Sequence, residues 1–140
     1  MALVLANAPP RVYTVSKQLI GGDDINAFNA ALFSFQAVTA LGIAQADAAQ
    51  IIAANVEILA GSAANTGVKL PVSYPGAIVN ILNNSANTEN IYPLGTDQIQ
   101  TNSATLYAAA GVAITMITLI SASFICIKKG FWQMSKFAGA

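Results

Sequence analysis

The sequence predicts an all-β chain, an antiparallel β-sandwich of jelly-roll type preceded by an extended N-terminal arm. Three observations predict it. Between Pro75 and Trp132 short apolar runs recur, each closed by a cluster of Asn, Asp, Ser, Gly or Lys. The clusters follow one another at roughly 8–12 residues, the spacing of short strands in sandwiches and barrels. Within several runs the side chains alternate with period two, which sends successive residues to opposite faces of a strand.

Residues 1–24 stand apart from residues 25–140, which are read as a single sandwich domain. Leu3-Val4-Leu5 leads to Pro9-Pro10, then to Arg11-Val12-Tyr13-Thr14-Val15 and the turn Gly21-Gly22-Asp23-Asp24. Paired prolines hold the backbone extended, and Val-Tyr-Thr-Val has strand composition. The segment reads as an arm that lies along a neighbouring subunit and adds a strand to an exposed sheet edge. Leu3, Leu5, Val12 and Tyr13 would supply its apolar contacts, Pro9 and Pro10 its stiffness, and the backbone from Arg11 its pairing. The opening lacks a basic n-region, so no secretory signal is expected.

Asp23 or Asp24 can cap one helical turn over Asn26–Leu32. From Phe33 to Ala40 the first main strand is expected, with Phe33, Phe35 and Ala37 on one face and Ser34, Gln36 and Val38 on the other. Gly42–Ala54 is rich in Ala and Gln but has no apolar stripe, so it predicts at most a short helix over Gln45–Gln50. Strands follow at Val56–Leu59 and Val68–Leu70, separated by a loop at Gly61–Thr66.

Ala77–Leu82 predicts a strand that ends at Asn83-Asn84-Ser85, with Ala77, Val79 and Ile81 inward and Ile78, Asn80 and Leu82 opposite. Ile91–Leu94 ends at Gly95-Thr96-Asp97, Leu106–Ala109 ends at Gly111, and Ser121–Ile127 ends at Lys128-Lys129-Gly130. In the last of these, Phe124 and Cys126 share one face and Ile125 and Ile127 the other. Strands apolar on both faces predict that both faces are covered, one by the facing sheet and one by a neighbour or a loop. Ile78 and Ile125 are therefore candidate partner-binding residues. Trp132 reads as a core or interface anchor.

Composition excludes several function classes. With 140 residues the chain fits one domain, and its six basic and six acidic residues cancel. Only 9% of the chain is charged, against about 25% in ordinary domains. A neutral, charge-poor surface promotes association, which predicts a homo-oligomer, most simply a homotrimer. Lys128-Lys129 is the single adjacent basic pair, too little for a phosphate-binding face, so no nucleic acid is expected. There is no histidine, which removes most hydrolase triads and most zinc sites. The lone Cys126 lies between Ile125 and Ile127 and reads as a buried, inert thiol. Asp23, Asp24, Asp47, Glu57, Glu89 and Asp97 are scattered and read as solvated turn carboxylates, with no spacing suited to acid–base work or a metal. No enzyme and no cofactor is expected.

The order of these elements carries a resemblance. Gly67-Val68-Lys69-Leu70-Pro71, Pro75-Gly76-Ala77-Ile78-Val79-Asn80-Ile81 with Asn83-Asn84, and Asn90-Ile91-Tyr92-Pro93 come first. Ala109-Ala110-Gly111, Phe124-Ile125-Cys126 and Gly130-Phe131-Trp132 follow. Over residues 35–134 the chain resembles a recurrent β module of structural proteins in tailed bacteriophages, found in small capsid cement proteins and in pieces of tail fibres. Ala113–Ser121 is longer than that pattern expects between the Ala-Ala-Gly turn and the Phe-Ile-Cys strand. The resemblance implies a capsid cement (decoration) protein on the virion surface, with the major capsid protein as its partner.

Two rivals compete. Tyr92, Tyr107 and Trp132 could line a saccharide site, as in a tail- or fibre-associated adhesin module. Leu106–Ile127 is free of charge and is followed by Lys128-Lys129, as in a small single-span phage membrane protein of the holin kind. Gly111, Thr115, Thr118, Ser121 and Ser123 interrupt that run, and its β-branched residues suit strands. The soluble β reading is preferred.

Overall fold

Strands leave one sheet, cross to the facing one and return, so the chain winds as a coil before it closes on itself. The structure, a computed structural model, describes residues 34–60, 62–101 and 107–137. In chain order the strands are β1 (Phe35–Val38), β2 (Ala49–Gln50), β3 (Asn55–Ile58), β4 (Gly67–Lys69) and β5 (Ile78–Asn83). Then come β6 (Glu89–Tyr92), β7 (Gln98–Thr101), β8 (Ile114–Met116), β9 (Ser121–Lys128) and β10 (Phe131–Phe137). A six-stranded sheet runs β1-β3-β5-β9-β10-β7 and a four-stranded sheet β2-β4-β6-β8. The all-β class holds, and the described residues contain no helix.

The pairing corrects the antiparallel jelly-roll expectation. β1, β3 and β5 lie parallel in one sheet, and β2, β4 and β6 lie parallel in the other. A parallel pair needs a long crossover, and here the crossover is a strand of the opposite sheet. The winding is that of a short solenoid. β5–β9, β9–β10 and β6–β8 are antiparallel, and β7 returns to pair parallel with β10. The β9–β10 hairpin register shifts at Phe131–Trp132, as at a bulge.

Alternation in each strand decides what the coil encloses. Val38, Val56, Ile58, Val79 and Ile81 point inward from the first half of the larger sheet, and Ala122, Phe124, Cys126, Trp132 and Met134 from the second. Val68, Ile91, Ile114 and Met116 meet them from the smaller sheet in one continuous core. Ile51 and Leu70 plug the corners, where Ile51 N–H donates to Lys69 O and Leu70 N–H to Tyr92 O, both at 2.9 Å. Gly67 is glycine because the Tyr92 ring lies over it: an added Cβ would stand 2.6 Å from Cε2. The ring cannot swing aside easily, since its hydroxyl donates to Ile43 O at 2.7 Å.

Several local expectations are met. β1, β3, β4, β5 and β9 fall on predicted runs, β6 shares only Ile91 and Tyr92 with the expected Ile91–Leu94, the inward and outward sides of β5 are as expected, and Trp132 is wholly buried. Others are corrected. Gln45–Gln50 is a turn closed by Asp47 and Ala48 N–H donating to Ala44 O, and its end enters β2. Residues 107–109 form no strand; Ala108 N–H instead donates to Ile99 O at 2.9 Å on β7, a strand the turn-cluster pattern missed. Ala113–Ser121, the overlong segment, holds β8. The described part of Leu106–Ile127 is therefore strand and turn, and no helix among the described residues is long and apolar enough to cross a membrane. The expected arm over residues 1–24 and the helical turn at Asn26–Leu32 lie outside the described residues.

Candidate binding surface

The outer face of the six-stranded sheet can be read row by row from the register. One row runs Phe35, Asn55, Asn80, Ser123 across β1, β3, β5 and β9. Two residues along, and so on the same face, the next row is Ala37, Glu57, Leu82, Ser121. On the other side of the first row, Ile78 stands opposite Ile125. Parallel pairing in register is what lays Asn55 beside Asn80, residues that a sequence reading has no reason to connect.

The first row is bonded laterally. Ser123 Oγ donates to Asn80 Oδ1 at 2.6 Å, and Asn80 Nδ2 donates to Asn55 Oδ1 at 3.1 Å. In the second row, Glu57 Oε1 accepts from Asn84 Nδ2 at 2.7 Å. Serines on β9 are short beside Phe35 and Leu82, so the face dips there into an open groove of about 440 Å³. Ser123 is only 9% exposed although it points outward, which places it on the groove floor, whereas Phe35 is 65% and Leu82 40% exposed on the walls. Phe35, Asn55, Glu57, Asn80, Ser121 and Ser123 escaped the sequence reading as a site, because what unites them is pairing across strands.

Beyond the groove the same face turns apolar. Ile78 is 50% and Ile127 53% exposed, and Ile125 is half-buried between them. The turn before β5 carries exposed Tyr74, and Gly76 N–H donates to Cys126 O at 2.8 Å, bringing this turn against β9. The structure thus joins two of the predicted partner-binding residues, Ile78 and Ile125, into one patch. Leu3, Leu5, Pro9, Pro10, Arg11, Val12 and Tyr13 lie outside the described residues.

The aromatic trio expected to line a saccharide site is not assembled. Trp132 is buried and Tyr92 nearly so, while Tyr107 packs edge-on against Phe131 with ring centroids 4.9 Å apart. Lys128 Nζ covers the Phe131 ring at 4.0 Å. Cys126 is buried in the core, and burial raises its thiol pKa, with the Asp97 charge adding to the effect. No group of three or more acidic, Cys or His side chains suited to a metal exists among the described residues.

Glu89 corrects the reading of all carboxylates as solvated. It is fully buried at the end of the coil, where the β5–β6 connection folds over the core edge. Ser85 Oγ lies 2.9 Å from its Oε1 and Thr66 Oγ1 2.9 Å from its Oε2. Asn83, also buried, donates through Nδ2 to Asn87 O and Met116 O at 2.9 Å and accepts from Ser85 N–H at 3.0 Å. Thr118 Oγ1 donates to Ser85 O and closes the same cluster. Every bond in it satisfies a buried group, which makes it a structural clamp between the sheets.

No protein family, curated protein or solved structure matches the chain.

Proposed function

We propose that the chain is a virion structural protein of a tailed bacteriophage, a capsid cement protein that binds the major capsid protein and stabilises the shell from its outer surface. The observation that carries the reading is the apolar end of the larger sheet's outer face, Ile78, Ile125 and Ile127, with exposed Tyr74 on the turn that leads into β5. An uncharged patch of this kind on a chain with 9% charged residues is suited to burial against another subunit. The ordered motifs from Gly67 to Trp132, which resemble phage structural modules, supply the class of partner. A homotrimer would engage several modest interfaces at once, so that avidity rather than one large contact holds it on the shell.

Electron cryo-microscopy of virions from the phage that encodes the chain tests the reading. Density for this β fold over contacts between major capsid subunits, with the Ile78 side buried, is the expected result. Density confined to the tail, or none in the virion, would overturn it.

A further inference from the structure

We infer that the groove between Phe35 and Ser121 is a binding site for a neutral saccharide. This goes beyond the structural role proposed above and uses a different part of the same face. The groove of about 440 Å³ has the volume of a small-molecule site, which ordinarily spans roughly 300–1,000 Å³ and combines apolar walls with a few convergent polar groups.

Hydrogen-bonding capacity identifies the ligand class. Glu57 lines the groove; its Oε1 is taken by Asn84, and no described residue bonds Oε2, which leaves that oxygen as an acceptor. Ser121 Oγ likewise has no bonding partner among the described residues and can donate or accept. Asn80 uses one amide hydrogen on Asn55, which leaves its second as a donor, and Ser123 Oγ, donating to Asn80, still accepts. The groove therefore offers both donors and acceptors. A ligand bearing hydroxyls, each donor and acceptor at once, matches this pattern. An apolar ligand would strip water from these groups without replacing it. Among the described residues the single charged group lining the groove is a carboxylate, with no described cation in the lining, which disfavours phosphates, sulfated sugars and acidic sugars.

Phe35 completes the site. Its ring is 65% exposed at the wall, in the row that begins Phe35, Asn55, Asn80. The apolar C–H face of a pyranose can lie on that ring while its hydroxyls reach the floor, the division of labour that puts aromatic and polar groups side by side in such pockets.

The test uses the full-length protein and a panel of neutral trisaccharides of glucose, mannose, galactose and N-acetylglucosamine, with sialyllactose and a heparin trisaccharide as anionic probes. Binding is read by isothermal calorimetry and by amide chemical-shift changes. At least one neutral probe is expected to bind and to shift the amides of Asn55, Asn80 and Ser123. Glu57→Gln and Phe35→Ala should each weaken binding about tenfold or more. Both residues lie on the surface side of the sheet, and unchanged far-UV spectra would show that the variants fold. Ser121→Trp, which fills the groove, should abolish binding. Failure of every neutral probe at millimolar concentration overturns the inference, as do equal affinities for the wild type and both variants, or tighter binding of the anionic probes. Any of these results leaves the capsid proposal standing.

Discussion

Ile78 and Ile125 face each other across the antiparallel β5–β9 pair, on the side of the sheet turned away from the core. Neither contributes to the cluster that holds the two sheets together. Their exposure is therefore separable from the stability of the fold, and a charge placed on one should act on association.

At micromolar concentration the protein is expected to sediment as a trimer. Ile78→Asp should reduce it to smaller species while shifting the melting temperature little, since surface substitutions usually alter stability by about 0.5 kcal/mol or less. A monomeric wild type in sedimentation analysis would remove the association argument.

The Glu89 clamp makes an opposite prediction. Ser85→Ala removes a hydroxyl from Oε1 and the acceptor for Asn87 N–H, which approaches Ser85 Oγ at 3.1 Å. Leaving buried groups short of partners should cost about 1–3 kcal/mol. Each hydroxyl shares its one hydrogen with a backbone carbonyl, Ser85 Oγ with Asn87 O at 2.9 Å and Thr66 Oγ1 with Ala63 O at 2.7 Å. Thr66→Val, at the other carboxylate oxygen, should be milder, because it takes the acceptor from no backbone N–H, whereas Ser85→Ala does. Chemical denaturation of both variants and the double variant checks this. Two single costs that add without coupling would contradict a common cluster.

Trp132 fills the core, yet its Nε1 is the single buried side-chain polar atom without a partner among the described residues. Trp132→Phe gives up ring volume but also removes an unsatisfied N–H, so its cost should fall well below that of Trp132→Ala, for which about 3–5 kcal/mol is expected. Equal losses in urea denaturation would mean that the indole N–H is satisfied in solution.

Cys126 should behave as a protected thiol. Burial raises its pKa, the Asp97 charge raises it further, and a backbone hydrogen bond involving Phe131 offsets part of the shift. At about pH 8 a disulfide reagent should label it slowly in the native protein and at once in denaturant. The sign for stability follows: the fold disfavours the thiolate, so this contribution is complete below the ordinary thiol pKa. It is lost as pH rises through the higher folded value. Cys126→Ala should flatten that alkaline decline, and an unchanged decline would assign it to other groups.

What could be read along the chain was what depends on neighbours in sequence. Val79 and Ile81 alternate with Ile78 and Asn80, so their sides were evident before the partner strands were known. Cys126 between two isoleucines announced its burial in the same way, whereas Trp132 read as a core or interface anchor and the structure puts it in the core. β7 was hidden because Gln98-Ile99-Gln100-Thr101 offers one apolar residue, and its burial comes from pairing with β10.

Strand direction was decided elsewhere. A cluster such as Asn83-Asn84-Ser85 ends a strand equally well whether the chain doubles back beside it or crosses to the facing sheet, because turn chemistry sets local dihedral angles and says nothing of the next partner. Here the chain crosses, and parallel coils follow. That choice lays Asn55 against Asn80 and sinks Glu89 between Ser85 and Thr66. The sequence by itself determined the strand periodicity, the apolar faces and the scarcity of charge. Only the tertiary structure decided which polar residues meet. Period-two patterning is satisfied by any partner that buries the apolar face, whereas hydrogen-bonded side-chain pairs exist only once a particular register brings them together.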